Sequence, residues 1–177
     1  MILRKEIEKL ALRKKVTRST IDKDWVLGHF IDAIYSIPIC RENLIFKGGT
    51  CLKKCFLPDY RFSDDLDFTS INPKFVFDTH LLKQITDLIT ERTEIPLFIE
   101  KNKDLKHKEM PTGYAATVKF WGADHLRNQV PPPTSRWTTS VKIEIILYEK
   151  IVFPIEERAI IHEYPDKLAS VNHVLAP

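Results

Sequence analysis

The chain has no long apolar run: no segment approaches the roughly 20 consecutive apolar residues that a bilayer-crossing helix needs. It is poor in cysteine, with only Cys40, Cys51 and Cys55, an odd number without a CxxC pair. That argues against a disulfide framework or a zinc ribbon and points to a reducing, cytoplasmic setting with no membrane partner. Internal repeats and low-complexity stretches are also missing, so the chain reads as ordinary globular sequence. Its 177 residues, 44% hydrophobic and 29% charged, fit a single domain spanning 1–177 that can bury a core of its own.

The net charge of +3 is unevenly placed: residues 1–20 hold seven Lys/Arg against Glu6 and Glu8, a local +5. Such a segment suits a polyphosphate or nucleic-acid backbone, and equally the solvated face of a helix. A transit peptide fits less well, given the two glutamates and the scarcity of serine.

Periodicity predicts an N-terminal helical pair within residues 1–38. Leu3, Ile7, Leu10 and Ala11 share one face of the first helix. Trp25, Val26, His29, Phe30, Ala33 and Ile34 mark the second, capped by Thr20 or Asp22 and ending before Pro38. His29 lies on that apolar stripe and reads as a satisfied core histidine. An α+β core is expected over 43–163. Leu44–Phe46 forms a strand, a helix opens at Thr50, and Leu66, Phe68 and Ile71 mark a second strand. A helix covers 77–92 and an edge strand 95–100. The Lys-rich stretch 102–112 reads as an exposed loop. Strands follow at 114–121 and 141–145, with a last one from Arg158 to His162. The fold class is α+β, a mixed sheet flanked by helices.

Three pieces carry chemistry. The turn Gly48-Gly49-Thr50 sits between a strand and a helix, where a glycine backbone can approach a phosphate and the helix start offers free N–H groups. Alone, such a turn is often only a turn. Ser63-Asp64-Asp65-Leu66-Asp67-Phe68 places Asp65 and Asp67 on one face of a strand, with Leu66 and Phe68 entering the core. Two adjacent carboxylates repel unless cations neutralise them, and hard oxygen ligands favour Mg²⁺. Lys142-Ile143-Glu144-Ile145 puts a lysine and a third carboxylate on one strand face, which is also what a plain amphipathic strand would show.

Together, Phe46 to Leu52 and Arg61 to Phe68 resemble the signature of the AbiEii/AbiGii (MenT-like) toxin nucleotidyltransferases, within the DNA polymerase β-like superfamily. Lys142 and Glu144 match that family's Lys-x-acidic strand. The resemblance implies a polymerase β-like nucleotidyltransferase core. It implies Asp65, Asp67 and Glu144 as ligands of a two-metal Mg²⁺ centre (Mn²⁺ as an alternative). It further implies Gly48, Gly49, Thr50 and Ser63 around the NTP phosphates, with Lys142 contacting them. The implied reaction is transfer of NMP from an NTP to an acceptor hydroxyl, on RNA such as a tRNA 3′ end, by a toxin paired with a cognate antitoxin. Transfer to a small molecule or a protein hydroxyl, and a catalytically silent RNA- or protein-binding module, are the rival readings. Family members commonly continue into a helical C-terminal region with an Arg-Asp-rich motif, which does not occur before Pro177. Were Glu144 to face away from Asp65, Glu100 and Asp124 would be the next acids to consider.

Overall fold

The structure is a computed structural model and describes residues 2–126, 128–169 and 173–177. Helix α1 (Arg4–Lys14) buries Ile7 and Ala11 and closes at Lys15, whose left-handed φ of 56° lets its N–H reach the last carbonyls. Helix α2 (Arg18–Ser36) starts earlier than the sequence suggests. Its cap is Thr17, whose side chain accepts the Thr20 N–H at 3.2 Å, so neither Thr20 nor Asp22 serves. The helix ends before Pro38 as expected. Pro38 then opens a further short helix, α3 (Pro38–Asn43), because a proline at the first helical position forfeits no hydrogen bond.

Nearly every face of α2 is buried, and its buried charged groups each have a polar partner, although among the described residues the Asp24 Oδ1 atom has none. Asp22 accepts the Ala123 N–H at 2.7 Å. Asp24 meets Lys54 and the Tyr164 hydroxyl, each at 2.6 Å. His29 and Asp166 lie 2.9 Å apart, and Asp32 and Arg92 likewise 2.9 Å. His29 is thus the satisfied core histidine its position on the stripe suggests. Around α2, one cluster of buried apolar side chains draws on α1 at one end of the chain and on Val174 and Ala176 at the other.

The sheet comprises β1 (Leu44–Lys47), β2 (Asp65–Ser70), β3 (Leu97–His107), β4 (Met110–Phe120) and β5 (Ser140–Ile146). Its spatial order is β1-β2-β5-β4-β3; the β2–β5 pair is parallel and the others antiparallel, so the sheet is mixed. Between β1 and β2, a helical turn α4 (Gly48–Cys51) runs into a wider π-type turn over Leu52–Phe56. Helix α5 (Thr79–Thr93), capped by Asp78, lies on the crossover from β2. Ile71, expected in the second strand, falls just beyond β2 and is exposed.

Two expectations are corrected. The stretch 102–112 is no loop: β3 runs on to His107 and returns as β4 through Lys108 and Glu109, with φ of 46° and 66°. Positive φ at both central residues is the tight-hairpin geometry that Asn-Gly usually signals, and Lys-Glu hides it. The last strand, β6 (Glu156–Ala159), begins before Arg158 and stops short of His162. It pairs with an unforeseen strand, β7 (His173–Ala176). No helix among the described residues is long and apolar enough to cross a membrane.

Candidate active site

Alternation along β2 buries Leu66 and Phe68, and along β5 it buries Val141, Ile143 and Ile145. The intervening residues, Asp65 and Asp67 on β2 and Lys142 and Glu144 on β5, therefore emerge on the opposite face. The two strands are parallel and in register, with Asp65 beside Lys142 and Asp67 beside Glu144. All four line one cleft of about 380 Å³. Residues separated by some eighty positions are joined by folding, with Glu144 on the same side of the sheet as Asp65. The two fall-back acids are engaged elsewhere. Glu100 pairs with Lys119 at 2.9 Å and Asp124 with Arg18 at 3.2 Å, and neither lines the cleft.

The electrostatics follow from this crowding. The Asp67 carboxyl is pushed above its ordinary value by partial burial, then by the neighbouring Asp65 and Glu144 charges, with Lys47 opposing. Lys47, beside Asp67 on the other flank, is ion-paired with Glu149, which also accepts the Thr69 hydroxyl. Those two contacts hold Glu149 below the usual carboxylate range.

The glycine turn abuts the acids. Gly48 has φ of 78°, and a Cβ there would intrude on the Asp67 carboxylate. A Cβ on Gly49 would meet Ser63 Oγ at 3.0 Å, so Ser63 closes on the turn. The Thr50 hydroxyl is buried and donates to the Asp65 carbonyl at 2.6 Å, tying α4 to β2. Gly48, Gly49, Thr50 and Ser63 adjoin the acids without forming the wall of the cleft. Its other wall escaped sequence reasoning: Lys101 and Lys103 of β3, across a floor of Ala115 and Thr117. The available signal was the Lys-x-Lys spacing of Lys101 and Lys103, at the start of the stretch 102–112 read as loop.

Among the described residues, three of the seven cations of the basic N-terminal segment are ion-paired, Arg4 with Glu8 at 3.1 Å, Arg18 with Glu8 at 2.9 Å and Lys14 with Glu163 at 3.2 Å. The three thiols are buried and free, and burial pushes Cys40 up to about 12.

A family model described as the nucleotidyl transferase AbiEii toxin of type IV toxin–antitoxin systems matches residues 29–176, a span holding the glycine turn, the Asp-x-Asp strand and the Lys-x-Glu strand. The chain belongs to the AbiEii family. Solved structures similar to this AbiEii-family chain include JHP933 from Helicobacter pylori, with TM-score 0.47 and 16% identity, covering 79% of this chain and 49% of that one. A second, titled "putative nucleotidyltransferase from H. pylori", gives TM-score 0.43 and 18% identity over 74% of this chain and 46% of that one. The chain thus spans about half the length of either. No curated protein matches it.

Among the described residues of the AbiEii-family chain, a second constellation has metal-ligating atoms. His29, His162 and Asp166 each offer a ligand atom, all within 4.8 Å of one another. In this structure the Asp166 carboxylate accepts from Trp25 Nε1 at 2.9 Å and sits 2.9 Å from His29 Nε2 and 3.1 Å from His162 Nε2. Three N–H donors satisfy it without an ion, and they fasten the 160–169 segment to α2.

Proposed function

We propose that this chain transfers NMP from an NTP to a hydroxyl of an RNA acceptor, with a tRNA 3′ end the leading candidate, as the toxin of a toxin–antitoxin pair in the cytoplasm. The observation that carries the reading is the in-register pairing of Asp65 with Lys142 and of Asp67 with Glu144 on one cleft face. Three carboxylates so placed supply hard oxygen donors, and Asp67, raised first by burial and then by the Asp65 and Glu144 charges, is the group a bound cation would relieve. The residues fit Mg²⁺, or Mn²⁺, held by Asp65, Asp67 and Glu144. Bound there, the metal would offset polyphosphate charge and lower the pKa of the attacking hydroxyl.

The chain's own groups have separate tasks. Gly48 and Gly49 let the backbone close on the nucleotide phosphates, and Ser63 borders that turn. Thr50, through its bond to Asp65, keeps the turn in place against the carboxylates. Lys142 contributes a phosphate-directed charge between the acids and the cleft floor. Catalysis of this kind rests on positioning and electrostatics, because the nucleophile belongs to the acceptor. The antitoxin partner follows from family membership.

The test is transfer of label from α-³²P NTPs in a mixture of total RNA and soluble protein. Label should enter RNA with wild-type enzyme and fail to do so with Asp67→Asn. Label on protein or small molecules alone would replace the RNA acceptor. Equal labelling of RNA by Asp67→Asn would remove the carboxylates from the mechanism.

A further inference from the structure

The register of four strands lays out two rows across the cleft. One reads Asp65, Lys142, Thr117, Lys101; the other reads Asp67, Glu144, Ala115, Lys103. Each row begins with a carboxylate on β2 and ends with a lysine on β3, three strands away, or roughly 14 Å at the usual strand spacing. Between them β4 contributes the small residues Ala115, Ala116 and Thr117, so the floor is low and the two walls face each other over open space. Neither Lys101 nor Lys103 has an ion-pair partner among the described residues, whereas Lys119 on the neighbouring strand is tied to Glu100 at 2.9 Å. Both lysines are exposed on an outer strand. Two exposed cations without an ion-pair partner, on the wall opposite the carboxylates, can receive an anion.

We infer that Lys101 and Lys103 bind consecutive phosphates of a single-stranded RNA backbone, forming the acceptor side of the cleft. The inference rests on the nucleotidyltransferase reading for its geometry. With the NTP phosphates held at the glycine turn and the β2 carboxylates, the attacking hydroxyl must come from the open side. That side is the β4 floor and its lysine wall. The two lysines, at i and i+2 on a strand, are about 6.8 Å apart along the backbone, a separation suited to neighbouring phosphodiesters of an extended strand. Hence the wall serves a polyanion running along β3, and the nucleotide needs only the opposite wall.

The test compares wild type, Lys101→Gln/Lys103→Gln and the control Lys83→Gln, which removes an exposed α5 charge paired with Asp87. The probe is a fluorescein-labelled single-stranded RNA oligonucleotide, followed by anisotropy without NTP across a salt series. The double variant should bind about ten-fold more weakly at 0.1 M salt, and its log–log salt slope should be shallower by about 1.4. Lys83→Gln should match wild type, and Mg²⁺–NTP affinity should be the same in all three. The inference is overturned if wild type does not bind the oligonucleotide, if the double variant binds it equally well, or if only NTP affinity falls. Binding needs no chemistry, so Lys-dependent binding by a protein without transferase activity would sink the catalytic reading and leave this one standing. Lys-independent binding with full transferase activity would do the reverse.

Discussion

A single methyl group at Gly48 would have to occupy space held by the Asp67 carboxylate, in a backbone conformation that L-residues avoid. This ties the glycine turn to the acidic strand more tightly than phosphate approach alone would. Gly48→Ala should therefore cost about 1–2 kcal/mol from the left-handed backbone, and it should displace Asp67 as well. Chemical denaturation would read the first effect, and loss of the Mg²⁺-dependent thermal shift the second. Full stability with an unaltered shift would mean that the turn relaxes freely and positions nothing. Asp65, Asp67 and Gly48 were legible in the sequence because their chemistry is local: a glycine pair after a strand, and acids alternating with core residues. Thr50 was legible as a residue of the turn but not in its bond to the Asp65 carbonyl, which only the packing of α4 on β2 creates. Lys101 and Lys103 were legible only as a Lys-x-Lys spacing and not as wall residues, since their neighbours across the sheet, Thr117 and Ala115, come from a different strand.

The elements divide by how much apolar pattern they carry. The helices α1, α2 and α5 and the strands β2, β4 and β5 each bury one face or more, so periodicity finds them. The outer half of β3 is exposed on both faces, with a Lys-Glu turn in place of a glycine, and nothing in its hydropathy betrays a hairpin. The strand expected from Arg158 to His162 ran too far along: the β6–β7 pairing ends at Ala159, beyond which Ile160 packs on the core and the Ile161 N–H donates to the Lys54 carbonyl at 2.6 Å. What holds the segment after β6 is polar: Asp166 on Trp25, His29 and His162. Burial alone would raise the Asp166 carboxyl, yet the hydrogen bonds from His162, His29 and Trp25 outweigh it and hold the group well below its ordinary value. A depressed carboxyl contributes stability above its unfolded pKa of about 3.9 and loses it as pH falls towards the folded value. Asp166→Asn should cost about 1–3 kcal/mol at neutral pH and flatten the acid limb of the stability profile. Urea denaturation between pH 3 and pH 7 would read both effects. An unchanged acid limb would show that the clamp contributes nothing to folding.

For the whole molecule, the α+β class and the mixed sheet were readable from the order of elements, and the family from two short motifs. The strand order was not, because the parallel pairing of β2 with β5 depends on a crossover that includes α5 and the β3–β4 hairpin. That pairing is nonetheless what sets Glu144 beside Asp67. Asp65, Asp67 and Glu144 are proposed to act as one metal-holding unit. Thermal unfolding with and without Mg²⁺ and NTP, on wild type, Asp65→Asn/Asp67→Asn and Glu144→Gln, tests it most directly. Without ligand, a raised Asp67 gives stability that is lost as pH rises through its folded value. Relieving the repulsion should therefore leave Glu144→Gln at least as stable as wild type at neutral pH. With ligand, wild type should gain melting temperature through linkage, the double variant should gain none, and Glu144→Gln should lose most of the gain. A ligand-induced rise of wild-type size in either variant, in a protein that still folds, would contradict the shared metal centre.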